Sequence, residues 1–365
     1  MSRSDGMNYA PQGKPQPVCK KGEFVFSVIG LNHGHIYGMC NGLIEAGAVL
    51  KSVYDLDEKA IKKFTDTYAN VKIAGSKEEI LNDQDIIMIA SATITSERGP
   101  LGMQVLESGK DFFVDKAPFT TLGQLEIARL KTASTGKKYM VYYSERLHVE
   151  SSVFAEELIN DGAIGKVIQV LGLGPHRLNP LSRPEWFFER NKYGGILCDI
   201  GSHQIEQYLT FAKVKEATVA KSHIANVNHP QYPELEDFGE VMLVGDNGAT
   251  NYFRVDWFTP EGLGSWGDGR TIILGTNGYI EIRKYIDIGR DNSPDHLYLV
   301  NNEGENHIHV QGKIGYPYFG KLILDCLNRT ENAMTQTHAF KASELSLIAQ
   351  DSAVRIYNHL NGFNV

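Results

Sequence analysis

Along the first part of the chain, short continuous apolar runs alternate with stretches whose apolar residues have helical spacing. Phe24 to Ile29 is aromatic and β-branched and stops at Gly30, as expected of a buried parallel strand. Similar runs at Val49–Tyr54, Val71–Ile73, Ile86–Ala90, Phe112–Val114 and Tyr139–Tyr143 predict further strands. Helices are predicted between them: one through Met39, Leu43 and Ile44, one from Asp57 to about Tyr68, and one through Val105 and Leu106 to Gly109. Alternation of this kind specifies an α/β unit with a doubly wound parallel sheet and helices on both faces.

The texture changes after about residue 145. An amphipathic helix from Ser151 to Asp161 ends at Gly162, and strand-like runs then dominate. These are Val167–Leu173, Val241–Val244, Thr250–Trp257, Thr271–Leu274, Tyr279–Ile282 and His296–Val300. Turn signals such as Gly245-Asp246-Asn247-Gly248 and Gly275-Thr276-Asn277-Gly278 separate them, which predicts an α+β unit with one large, mostly antiparallel sheet. Helices from Pro317 to about Asn328 and from Lys341 to Leu360 are expected to close the chain. A length of 365 residues favours two domains. The boundaries read as 1–22 for a polar flexible tail, 23–145 for a dinucleotide-binding domain, and 146–365 for a substrate-binding and oligomerisation domain.

Composition narrows the class. Hydrophobic residues make up 42% and charged residues 22%, values of an ordinary globular protein. A net charge of −8 argues against nucleic acid or an anionic membrane as the main partner. No apolar run reaches the ~20 residues of a membrane span, and residues 1–22 lack the apolar centre of a secretory signal. Cys19, Cys40, Cys198 and Cys326 are scattered, which suits reduced thiols and a cytoplasmic setting.

Ligands on a doubly wound sheet bind at the carboxyl ends of its strands. That gathers the loops Gly30 to His35, Asp55 to Asp57, Ala92 to Arg98 (with Thr93), and Asp115 to Pro118. The first loop, Gly30-Leu31-Asn32-His33-Gly34-His35, stands where a dinucleotide fold carries G-x-G-x-x-G. Gly30 fits the first glycine, Asn32 tolerates left-handed backbone, and Gly34 permits a close approach. Asp55 ends the second strand, where an acid holds the ribose hydroxyls of NAD and repels the extra phosphate of NADP; its bland alternative is a turn or capping residue. His33 and His35 contact phosphates or fill the turn, with no third ligand in sequence to make a metal site. Lys116 follows a strand directly and is placed to stabilise charge on a substrate oxygen, unless it is a solvated lysine.

A second constellation lies at Gly194-Gly195-Ile196-Leu197-Cys198-Asp199-Ile200-Gly201-Ser202-His203. Asp199 and His203 are four residues apart and share a helix face, an arrangement suited to moving a proton near neutral pH. The bland alternative makes Asp199 a helix cap and leaves His203 on a solvated face. Upstream, His176, Arg177, Arg183, Trp186 and Phe187 form a polar-aromatic mixture, read as a carbohydrate-facing loop or a buttress.

Several of these motifs, taken in order, resemble the Gfo/Idh/MocA oxidoreductases. The family's E-K-P resembles Asp115-Lys116-Ala117, with Pro118 one position later. G-G-G-x-L-x-D-x-G-x-H resembles Tyr193 to His203, D-x-G-x-I-G-x-V is similar to Asp161 to Val167, and G-T-x-G to Gly275–Gly278. The departures are Asn32 and His35 in the glycine fingerprint, Thr93-Ile94-Thr95 in place of T-P-N, and Arg98 where histidine is common.

The resemblance implies a Rossmann domain that binds NAD, less readily NADP, along Gly30, Asn32, His33, Gly34, His35, Asp55 and Thr93. It implies Lys116 beside the nicotinamide, and Asp199 and His203 around the substrate hydroxyl, with His203 taking the proton. Substrate contacts would come from His176, Arg177 and Trp186. The activity implied is hydride transfer with a secondary alcohol of a sugar, sugar derivative or cyclic polyol, in a homodimer or homotetramer. Two other readings stay open: transient oxidation of a sugar without net redox, and a non-catalytic dinucleotide sensor.

Overall fold

A computed structural model describes residues 5–357 of the chain. They divide into two compact units, one of residues 7–142 with 315–340 and the other of residues 5–6, 143–314 and 341–357.

In the first unit, strands and helices alternate. They are β1 (Val25–Ile29), α1 (His35–Glu45), β2 (Val49–Tyr54), α2 (Glu58–Thr67), β3 (Lys72–Ile73), α3 (Lys77–Asn82), β4 (Met88–Ser91), α4 (Thr95–Glu107), β5 (Asp111–Asp115), α5 (Leu122–Thr135) and β6 (Tyr139–Tyr142). The six strands pair in parallel in the order β3-β2-β1-β4-β5-β6. The order reverses direction between β1 and β4, the point where such sheets open a crevice for a ligand. Phe26, Val28, Met88, Ile89, Phe112 and Phe113 have no exposed surface, so the central strands are covered on both faces. The polar stretch ahead of β1 has fixed partners: the amides of Gln16 and Val18 donate to Glu45 and Ala46 at 2.8 and 3.0 Å. Helix α11 (Pro317–Asn328) returns to this unit, where Phe319 fills the space beside Gly42.

The second unit is built on a nine-stranded sheet in the order β14-β13-β12-β11-β7-β10-β9-β8-β15. Its strands are β7 (Val167–Pro175), β8 (Ala217–Ala225), β9 (Phe238–Gly245), β10 (Thr250–Asp256), β11 (Arg270–Gly275), β12 (Gly278–Arg283), β13 (His296–Asn301), β14 (Gly304–His309) and β15 (Val354–Tyr357). All its pairs are antiparallel except β7–β10 and β8–β15. The short α6 (Ser144–Leu147), α8 (Arg190–Tyr193) and α9 (Ile196–Asp199), with α7 (Glu150–Asn160) and α10 (Gly201–Phe211), supply its helices. Of these, α7, α9 and α10 lie against the sheet. The final helix, α12, runs Gln336–Asp351 rather than from Lys341 to Leu360. The β-branched and aromatic Val354–Tyr357 leaves the helix to pair with β8, and residues 358–360 lie outside the described residues. Among the described residues, no helix is long and apolar enough to cross a membrane.

Candidate functional site

In the first unit, the carboxyl ends of β1, β2 and β4 enclose a cleft of about 430 Å³ lined by Gly30, Asn32, Asp55, Lys77, Thr93 and Glu97 among others. Gly30 sits at φ +90°, and a Cβ there would come within 2.6 Å of the Thr93 Cβ, so only glycine fits. The Thr93 hydroxyl donates to Asn32 Oδ1 at 3.2 Å, which ties the loop after β1 to the loop after β4. Asp55 accepts the Leu31 amide at 2.6 Å and the Asp57 amide at 2.8 Å, while Asp57 is the residue that caps α2. Asp55 therefore braces the glycine loop from inside the cleft. At Gly34 the room left by the missing side chain is taken by the Met7 carbonyl, 2.3 Å from where a Cβ would stand. The amino end of α1 begins at His35 with no side-chain cap.

His33 and His35 are both buried and meet Asp115, the residue that ends β5. The His35 imidazole donates to Asp115 Oδ1 at 2.8 Å. The His35 amide donates to His33 Nδ1 at 3.2 Å, so the proton of a neutral His33 ring sits on Nε2. Burial, then the neighbouring His35, pushes the His33 imidazole well below its ordinary value. Burial alone would raise Asp115, but His35, Arg98 and His33 outweigh it and hold the carboxyl well below the usual range. The carboxylate missing from the sequence reading of a metal site is thus present in space, and the three residues offer donor atoms within 4.8 Å of one another. Arg98, 3.1 Å from Asp115 Oδ2, already supplies a cation, and hydrogen bonds use the facing atoms.

Arg98 also orders the turn that carries Lys116. Its side chain donates to the carbonyls of Thr93 at 2.8 Å and Ala117 at 3.2 Å, and to that of Lys116. The Lys116–Ala117 peptide is cis. Lys116 itself is 5% exposed, so the solvated-lysine alternative does not hold.

In the second unit, the glycines before α9 have φ of +89° and +94°. The space beside Gly195 is filled by Gln350 of α12, whose Oε1 accepts the Leu197 amide at 2.9 Å. The glycine pair admits a side chain of this protein. Asp199 closes α9 and His203 lies in the first turn of α10, with the break at Ile200. His203 is 2% exposed, so the solvated alternative fails for it. The Tyr143 ring meets the His203 imidazole edge-on, with centroids 6.3 Å apart.

His176 packs against Trp257 and Trp266 at 5.5 and 4.6 Å between ring centroids. The Arg177 guanidinium reaches the carbonyls of Pro260, Leu263 and Ser265 at 2.9–3.0 Å and so fastens that loop. Trp186 is buried beside Phe187, and Arg183 stacks over Phe187 and Trp257. Glu145 of α6 escaped the sequence reading. It sits fully inside the unit, bonded to Lys284 at 2.7 Å and Gln204 at 2.9 Å, and no motif announces it.

Residues 153–281 match the family model described as the GFO/IDH/MocA C-terminal domain. A crystal structure from Erwinia carotovora atroseptica SCRI1043, whose description goes no further than oxidoreductase, is 51% identical. It covers 92% of this chain and 100% of that one, with a TM-score of 0.89. The scyllo-inositol 2-dehydrogenase (NAD(+)) of Bacillus subtilis (strain 168) is 28% identical over 208 residues, 56% of this chain and 57% of that protein. The scyllo-inositol 2-dehydrogenase (NADP(+)) of the same organism is 22% identical over 218 residues, 59% of each. The chain thus spans less than two thirds of these curated relatives.

Proposed function

Because the chain belongs to the Gfo/Idh/MocA family of oxidoreductases, we propose that it transfers a hydride between a nicotinamide cofactor and a secondary alcohol of a sugar, sugar derivative or cyclic polyol. The observation that carries this reading is the cleft at the strand order's reversal, lined by Gly30, whose tight turn beside Thr93 only glycine allows, and by Asp55. When bound, the cofactor supplies the hydride acceptor or donor. The loop Gly30 to Asn32, which lines the cleft, would hold its pyrophosphate, and Asp55 its ribose hydroxyls. NAD is the preferred form, because Asp55 repels a 2′-phosphate; Lys77 in the same cleft pulls the other way.

Lys116 would stabilise negative charge on the reacting oxygen as the C–H bond breaks. His203 would take the hydroxyl proton, and Asp199 would orient it or hold a neighbouring hydroxyl. His176 and Trp186 would bind the carbohydrate, whereas Arg177 serves its loop. The experiment is to denature the purified protein and identify any released nucleotide, then to follow reduction of NAD by scyllo-inositol in single and multiple turnovers. Net NADH release supports a dehydrogenase. Absence of any bound or titratable nicotinamide nucleotide overturns the proposal.

A further inference from the structure

The second unit buries a carboxylate to which the roles above give no task. Glu145 is 2% exposed, and its Oε2 accepts both Lys284 Nζ at 2.7 Å and Gln204 Nε2 at 2.9 Å. Lys284, just past β12, has no exposed surface, and Gln204 is the neighbour of His203 on α10. The other oxygen, Oε1, is buried without a hydrogen-bond partner among the described residues, and His176 Nε2 lies 3.9 Å from it. An orphaned buried carboxylate oxygen is uncommon and calls for an explanation.

The tautomer of His176 supplies one. Its Nδ1 faces the Gly174 carbonyl at 3.2 Å. A carbonyl only accepts, so the ring proton sits on Nδ1. Nε2, turned toward Glu145, then bears a lone pair until the ring takes a second proton. Only the imidazolium can complete the coordination of Oε1. Burial would raise the Glu145 carboxyl, but Lys284, then His203 and His176, outweigh it and hold it well below the usual carboxylate range; His203 adjoins Gln204, which donates to the same carboxylate. The groups facing Glu145 are therefore Lys284 after β12, His176 after β7, and Gln204 and His203 of α10. Arg146, next on α6, turns away to Glu206 and Glu156.

We propose that Glu145, clamped by Lys284 and Gln204, is a positioning residue that acts as counter-ion for the imidazolium at His176 and His203 and so sets the pH range in which the base works. This rests on the reading of His203 as the proton acceptor. An anion beside a histidine favours the charged ring, and a cation disfavours it.

The test follows the histidine ring signals of the full chain by NMR, with isotope-labelled histidine and assignment through His176→Gln and His203→Gln. Glu145→Gln removes the anion and should lower both titration midpoints by about one unit. Lys284→Met should raise them by a similar amount, and the double variant should fall between. Unmoved midpoints in folded Glu145→Gln, or shifts of the same sign in both single variants, overturn the proposal. Should Glu145→Gln fail to fold around an unpaired Lys284, the double variant is compared with Lys284→Met, and equal midpoints overturn it. The acidic limb of kcat/KM with NAD and scyllo-inositol should move with the midpoints. Normal turnover in His203→Ala would remove the base assignment and leave the shifts standing. Unshifted midpoints beside a crippled His203→Ala enzyme would remove the counter-ion and leave the base.

Discussion

Arg98 joins two ligand-edge loops of the parallel sheet, bonding to Thr93, Lys116 and Ala117 carbonyls and to the Asp115 carboxylate. Both members of the ion pair are 1% or less exposed. Removing the cation alone leaves a buried charge, a change that costs about 3–5 kcal/mol. Arg98→Met should therefore lower unfolding free energy by that order in urea titrations; a loss under about 1 kcal/mol would show that the pair is not holding the turn. Because the folded-state carboxyl lies below its unfolded value, this contribution is complete above about pH 4 and fades as pH falls toward the folded value. In sequence Arg98 was visible only as a departure, since its partners are carbonyls up to 19 positions away. Asp55 was legible from its place at a strand end. Asp55→Ser should tighten NADP binding relative to NAD, measured by fluorescence titration, and an unchanged ratio would assign cofactor choice elsewhere. His203→Ala should lower turnover with scyllo-inositol about 10²–10⁴-fold while nucleotide affinity survives. Near-normal turnover would take His203 out of the chemistry.

Strands β1, β4, β5 and β6 were readable because each is a short run buried on both faces, and the partly buried β2 because its β-branched run ends at Asp55. Strand β14 was not: Gly304 to His309 is polar and half-buried at best, and its order comes from pairing with β13 at the sheet edge. Strand β15 was hidden in the same way, since its partner β8 is remote in sequence. The junction of α7 with β13 carries a further consequence. Asp295 precedes β13 in left-handed backbone, φ +64°, and accepts the Ser151 amide and hydroxyl, both at 2.8 Å. Burial, only partly opposed by Ser151, raises its carboxyl to about 6. The folded state thus holds this proton more tightly than the unfolded chain, so stability falls as pH rises from about 4 to about 6. Each unit of difference is worth about 1.4 kcal/mol. Asp295→Asn, which keeps an acceptor for Ser151, should flatten that decline in denaturant midpoints measured across the interval. An identical slope in the variant would place the titration on another group.

The nine-stranded sheet carries α7, α9 and α10 on one face. Along the strands, alternate positions point the other way, and register aligns Ile272, Leu171, Tyr252 and Met242 in a row across β11, β7, β10 and β9. Leu274 and Val244 stand in the next row, and Tyr279 on β12. Ile272, Leu274, Met242, Val244 and Tyr279 are each 36–51% exposed. Contiguous apolar surface of this kind marks an interface more often than free surface. Arg254 and Glu240 are paired in register beside it, as are Arg270 of β11 and Arg283 of β12. A face that offers both an apolar row and charges of both signs is suited to a second copy of itself related by a two-fold axis, which brings each apolar row against its equivalent. An interface of standard size buries about 800 Å² on each partner, an area within reach of several adjacent strands. We therefore expect a dimer, or a tetramer built from it, and light scattering at micromolar concentration should give at least twice the 40.6 kDa of one chain. Ile272→Glu with Met242→Glu would set carboxylates against their equivalents across the axis and should split the assembly while leaving the fold intact by circular dichroism. A wild-type protein that scatters as a monomer would refute the interface, and an oligomer untouched by the double substitution would locate it on a different surface.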